Sequence, residues 1–213
     1  MKQINRLKLS LLFFPVLFLL NSCLGLDMNI ALNQNGSGTI SLEYRISKSL
    51  DSLGKLDGNE RWNTIPAGRA DFERTLSRLP EIKLISFSSK EDQRDVIISA
   101  KLAFSDINGL LAFLDASGRR SSFSGNAGSG RLLITLSGGA KNNDANLLKL
   151  IEEISASYSI KMSMSFPGEG DLAVLDNTGK ALETQKRGKT VSCSFPLYDV
   201  LSSANGINAE FKW

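Results

Sequence analysis

From Leu26 onward the chain alternates strictly. Leu26, Met28, Ile30 and Leu32 alternate with Asp27, Asn29 and Asn33, the period of a half-buried strand. Asn35-Gly36-Ser37-Gly38 interrupts the pattern with residues that tolerate a tight reversal. Ile40, Leu42, Tyr44 and Ile46 then resume the same rhythm against Ser41, Glu43 and Arg45. The segment predicts a β-hairpin. Residues 47–66 are polar and turn-rich. Phe72, Leu76 and Leu79 recur at helical spacing and Pro80 stops the stripe.

Strands are predicted at Ile82 to Ser88 and Asp95 to Phe104, joined by a charged turn. Ser105 is the expected cap of a helix whose stripe is Ile107, Leu110, Leu111 and Leu114. Arg119 to Gly130 reads as a loop or hairpin, and Arg131 to Ser137 as a strand. Leu147, Leu150, Ile151 and Ile154 mark a third helix. Tyr158 to Phe166 alternates again. Shorter strands are expected at 172–175, 181–184, 190–195 and 207–213, with a short helix opened by Pro196. The sum is an α+β domain: mostly antiparallel sheet built from hairpins, with three to four amphipathic helices packed on it.

The first twenty-three residues follow a different rule. Lys2, Arg6 and Lys8 precede an apolar run from Leu9 to Leu20, too short to span a bilayer and of the length of a signal sequence. Leu20-Asn21-Ser22-Cys23 then has the order of a lipobox. A thiol at Cys23 can carry a diacylglyceryl thioether, and the small Ser22 suits signal cleavage between the two. The expected organisation is a lipoprotein signal peptide at 1–22 and one lipid-anchored domain at 23–213. Palmitate-type acyl chains would fix it to a bacterial membrane on the non-cytoplasmic side, because at least two chains give firm attachment. Three residues from Cys23 to Leu26 leave a tether of only about 10 Å, which would set Trp62 and its neighbours near the headgroups.

Composition narrows the chemistry. The chain of 213 residues carries 25 basic and 22 acidic side chains and no histidine. Three of the basic residues lie in the signal segment, so the remainder balances at 25 − 3 = 22 against 22. That neutrality argues against nucleic acid as a partner, and the missing imidazoles remove the common catalytic triads and most metal sites. Ser52-Leu53-Gly54-Lys55 lacks the companion motifs of serine–lysine acyl enzymes. Glu152 and Glu153 are adjacent on a helix and so do not face each other. Glu169 and Asp171 are too few oxygens for a hard cation. No enzyme, cofactor or metal is expected. Cys193, inside an alternating strand, reads as a small buried hydrophobe. The remaining hint of a ligand is the face formed by Ile160, Met162, Met164 and Phe166, since methionine adapts to irregular apolar partners; plain core is the competing account.

The lipobox cysteine, Leu26-Asp27-Met28-Asn29-Ile30 and Asn35-Gly36-Ser37-Gly38-Thr39 resemble the LppM-like family of bacterial lipoproteins. Phe166-Pro167-Gly168, Asn177 and Gly188-Lys189-Thr190-Val191 look like the closing hairpins of the same family. The sequence departs from it at Cys193, where tryptophan is common, and in lacking a transmembrane segment before Trp213. The resemblance implies a non-enzymatic, membrane-proximal α+β domain associated with envelope lipid or another apolar ligand. An interaction lipoprotein that contacts another envelope protein without a small ligand is the alternative.

Overall fold

The computed structural model describes residues 24–48, 68–115, 118–137, 157–202 and 206–213, together with 149, 152, 153 and 155. The expectations placed on the signal segment, Ser22, Cys23, Ser52 to Lys55, Trp62 and the stripe of Leu147, Leu150, Ile151 and Ile154 lie outside those residues.

The alternating segments near the start form β1 (Leu24–Leu32) and β2 (Gly38–Ser47), paired antiparallel with Ile30 opposite Ile40. Gly36 takes φ +83° in the turn, a conformation that a side chain resists. Next come α1 (Arg69–Leu76), β3 (Ile82–Glu91) and β4 (Asp95–Phe104). In the β3–β4 turn the carboxylate of Asp92 accepts from the backbone N–H groups of Asp95 at 2.7 Å and Arg94 at 2.8 Å. Those bonds hold it below the ordinary carboxylate range. The stabilisation is present above the unfolded-state value and is lost as pH falls through the lowered one. The chain continues with α2 (Ile107–Leu114), β5 (Ser121–Gly125), β6 (Gly130–Leu136), β7 (Ser159–Ser165) and β8 (Asp171–Leu175). It closes with β9 (Thr184–Arg187), β10 (Thr190–Pro196), α3 (Leu197–Leu201) and β11 (Ile207–Lys212).

Seven strands form one sheet in the order β3-β4-β2-β1-β7-β10-β9, and four form a second in the order β5-β6-β11-β8. Met28, Ile40, Ile98, Met164 and Val191 from the first sheet share one buried cluster with Leu132, Ile134, Val174, Ala209 and Phe211 from the second. Both sheets therefore turn their apolar faces into a common core. Helix α1 covers the far part of the large sheet, where Phe72 sits 5.4 Å from Phe87 and 6.4 Å from Tyr44 between ring centres. At the other side Trp213 stacks between Phe123 at 5.7 Å and Phe166 at 5.2 Å. Its indole N–H donates to the Ala127 carbonyl at 2.9 Å. That stack joins the small sheet to the chain just beyond β7.

Several expectations change. The protein is predominantly sheet: its described helices α1, α2 and α3 have eight, eight and five residues, a smaller share than three to four packed helices implied. The pairing of β1 with β7 is parallel. Alternation shows that a strand is half-buried, not which distant strand it meets or in which direction. Helix α2 is capped by Asp106, whose side chain accepts from Gly109 N–H at 2.9 Å, and not by Ser105. Of the loop and hairpin expected over Arg119 to Gly130, the hairpin is what forms: β5 pairs antiparallel with β6. Ala181 makes an isolated bridge to Leu175, whereas the strand is the fully exposed Thr184–Arg187, an edge that has no apolar side to reveal it. The 207–213 segment is a strand as expected, with Ile207 and Phe211 inward.

Candidate functional site

The strand β1 begins at Leu24, the residue after Cys23. The expected three-residue tether is thus shorter, because sheet begins at the residue after the candidate anchor. Leu24 pairs with Ser159, and Ser159 with Pro196, so the start of β7 and the end of β10 lie at the same end of the sheet. Gly25 lets the chain enter there: a side chain on it would come within 2.9 Å of Tyr158 Cβ and 3.6 Å of Leu197. Tyr158, Leu197 and Tyr198 are half-buried around this end.

The four residues of the expected apolar ligand face lie together on one side of β7 and just beyond it. Ile160, Met162, Met164 and Phe166 are all buried, Met164 completely. Met162 is opposite Met28 on β1 and Cys193 on β10, and Met164 is opposite Ile30 and Val191. These side chains face the common core, so an acyl chain could reach them only by opening the packing between the sheets.

Cys193 belongs to the same layer. Burial pushes its thiol up to about 11, so the reactive thiolate is scarce at neutral pH. Native protein is expected to resist a maleimide reagent at mildly alkaline pH and to react once unfolded in guanidinium. Rapid labelling of the native protein would contradict the buried placement.

The opposite side of the large sheet is polar throughout its centre. From Asn29 on the middle strand, the register runs through Ser41 and Lys101 to Ser86 in one direction. In the other it runs through Ser163 and Ser192 to Gln185. A second row passes from Asp27 through Glu43 and Ser99 to Ser88, and through Lys161 to Ser194. Seven of these thirteen side chains are serine, and the two lysines balance the two acids. Asn29 donates to Asp27 at 2.6 Å, Ser99 donates to Glu43 at 3.2 Å, and Ser163 donates to Asn29.

Short side chains leave two open depressions on this face, each about 420 Å³, and Asp27 and Asn29 border both. Leu42 and Ala100 border one, and Met162 and Cys193 the other. Their side chains belong to the inner face, so it is their backbone that forms the floor. The sequence reading passes over this face. Its signal is the polar half of each alternating strand, in which serine takes places where longer charged residues usually screen a sheet.

Of the other candidates, Glu152 and Glu153 are exposed, as a solvated helix face requires. Asp171 pairs with Lys186 at 3.0 Å. Among the described residues no three His, Cys, Asp or Glu side chains gather as a metal site, and no helix is long and apolar enough to cross a membrane.

No protein-family model matches the chain, and no curated protein matches it in sequence. Among solved structures it is similar to the folded domain of LppM from Mycobacterium tuberculosis, determined by NMR. The identity is 14% and the TM-score 0.39, over 88% of each chain. A superposition at that level does not establish a common fold, and the family likeness remains a resemblance.

Proposed function

We propose that this chain is a lipoprotein of the bacterial envelope, anchored through acylated Cys23, and that its domain is a non-enzymatic binding module held directly on the membrane surface. The observation that carries the reading is the start of β1 at Leu24. A lipobox cysteine followed at once by sheet gives the lipid no flexible linker, so the domain stands against the headgroups. Tyr158, Leu197 and Tyr198 surround that end, and tyrosine favours the membrane–water interface. From Leu24 to Leu32 the strand rises about 26 Å, which carries the β1–β2 turn away from the bilayer.

The orientation is testable with single labels, because Cys193 is buried and an acylated Cys23 has no free thiol. A fluorophore on Tyr198→Cys should be strongly quenched by a nitroxide in the lipid headgroup, and one on Gln34→Cys in the β1–β2 turn should not. Equal quenching at the two positions would overturn the placement.

Contact with another envelope protein is the second reading. It is favoured by β3, a ten-residue strand with no further strand beside it among the described residues. Ile85 at the β3 bulge is 54% exposed, and an unpaired edge can accept an added strand.

A further inference from the structure

The geometry points to the serine-rich face of the large sheet as a binding site for a linear, uncharged glycan, which deepens the binding-module reading above by giving the ligand a chemical class. Each depression has a volume within the range of small-ligand sites, and its border mixes hydroxyl and amide groups with a few charges: Asp27, Glu43 and Lys101 at one, Asp27, Lys161 and Glu183 at the other. An acyl chain would have to desolvate charged and hydroxyl side chains there. A phosphate or other anion would find Lys101 and Lys161 outnumbered by Asp27, Glu43 and Glu183. A divalent cation needs more oxygens than the two carboxylates bordering either depression supply. A protein partner commonly anchors on buried aromatic or arginine side chains, and neither row contains one.

Sugar hydroxyls suit what is present. Serine hydroxyls both donate and accept, and the amides of Asn29 and Gln185 offer both kinds of group in a fixed plane. The small side chains also let a ring approach the backbone floor. The longer row crosses seven strands, six spacings of about 4.8 Å, or roughly 29 Å. That length suits several sugar units of a polymer better than one. The row crosses β1 at Asn29, five residues from Leu24, so it stands about 17 Å along the strand from the anchor end. This height favours a wall-type glycan strand lying alongside the membrane over the headgroup of a glycolipid within it.

The test uses the full chain in detergent micelles and chitohexaose, an uncharged polymer of N-acetylated amino sugar, as the probe. Saturation-transfer NMR should show magnetisation passing from the protein to the sugar, and empty micelles should give none. Ser41→Val with Ser163→Val fills the centre of the row with residues that suit strands, and should reduce the transfer at least fivefold. Asn29→Ala, at an exposed position, should weaken it in the same direction without touching the core. Absence of transfer to wild-type protein, or transfer undiminished in both variants, would overturn the glycan site. The anchor reading is decided separately, by acylation and membrane fractionation, in which no sugar takes part.

Discussion

Replacing Phe211 with alanine is expected to cost the domain about 3–5 kcal/mol, as truncation of a buried aromatic side chain does. Phe211 is fully buried on β11, which has β6 on one side and β8 on the other. Its register partners are Leu132, also fully buried, and Leu172. The cavity would therefore open in the middle of the small sheet, where paired strands on both sides restrict collapse. Domain stabilities are typically ~5–15 kcal/mol, so the loss is a large fraction of the whole. With a urea dependence of about 2 kcal/mol per molar, the unfolding midpoint should fall by about 1.5–2.5 M. Lys83→Ala, at an exposed position on β3, is the control and should leave the midpoint nearly unchanged. Removing residues 207–213 should be more damaging, because β6 and β8 lose their shared partner and Phe123 and Phe166 lose Trp213. A truncated protein that unfolds at the intact midpoint would show that the strand contributes nothing to the fold.

Cys23→Ala is expected to abolish acylation and to shift the protein out of the detergent-requiring membrane fraction. Each buried methylene contributes about 0.8 kcal/mol, and two or more acyl chains give an attachment that washing does not reverse. The described residues offer no helix to replace it. Cells fed an alkyne-tagged palmitate should yield a labelled wild-type band and an unlabelled variant, with the variant recovered in the wash. Label on the Cys23→Ala protein would place the acyl chain elsewhere and remove the basis for the proposed orientation. The two substitutions also separate fold from address: Phe211→Ala should lower stability without altering acylation, and Cys23→Ala should do the reverse.

Local chemistry in the sequence was enough to locate most strands. Leu26 to Ile46, Asp95 to Phe104 and Tyr158 to Phe166 alternate because each strand has one wet face and one dry face, and that condition is written residue by residue. The proposed lipobox is read for a related reason: a signal segment is recognised as a short linear stretch, before any fold exists. Phe211 could be placed inward from the same alternation.

What the sequence left open depends on partners far along the chain. The Met162 and Met164 side chains are apolar whether they line a pocket or fill a core; only the second sheet beneath them decides that they are core. The parallel meeting of β1 and β7 spans more than a hundred residues and leaves no local mark. β9 is visible only through its pairing with β10, since all four of its side chains are exposed. The polar face is the clearest case. Asp27, Asn29, Ser41, Lys161, Ser163 and Ser192 look in sequence like the unremarkable wet side of four separate strands. Strand order and register align them into continuous rows, because hydrogen bonding between backbones fixes neighbours that side-chain periodicity alone cannot choose.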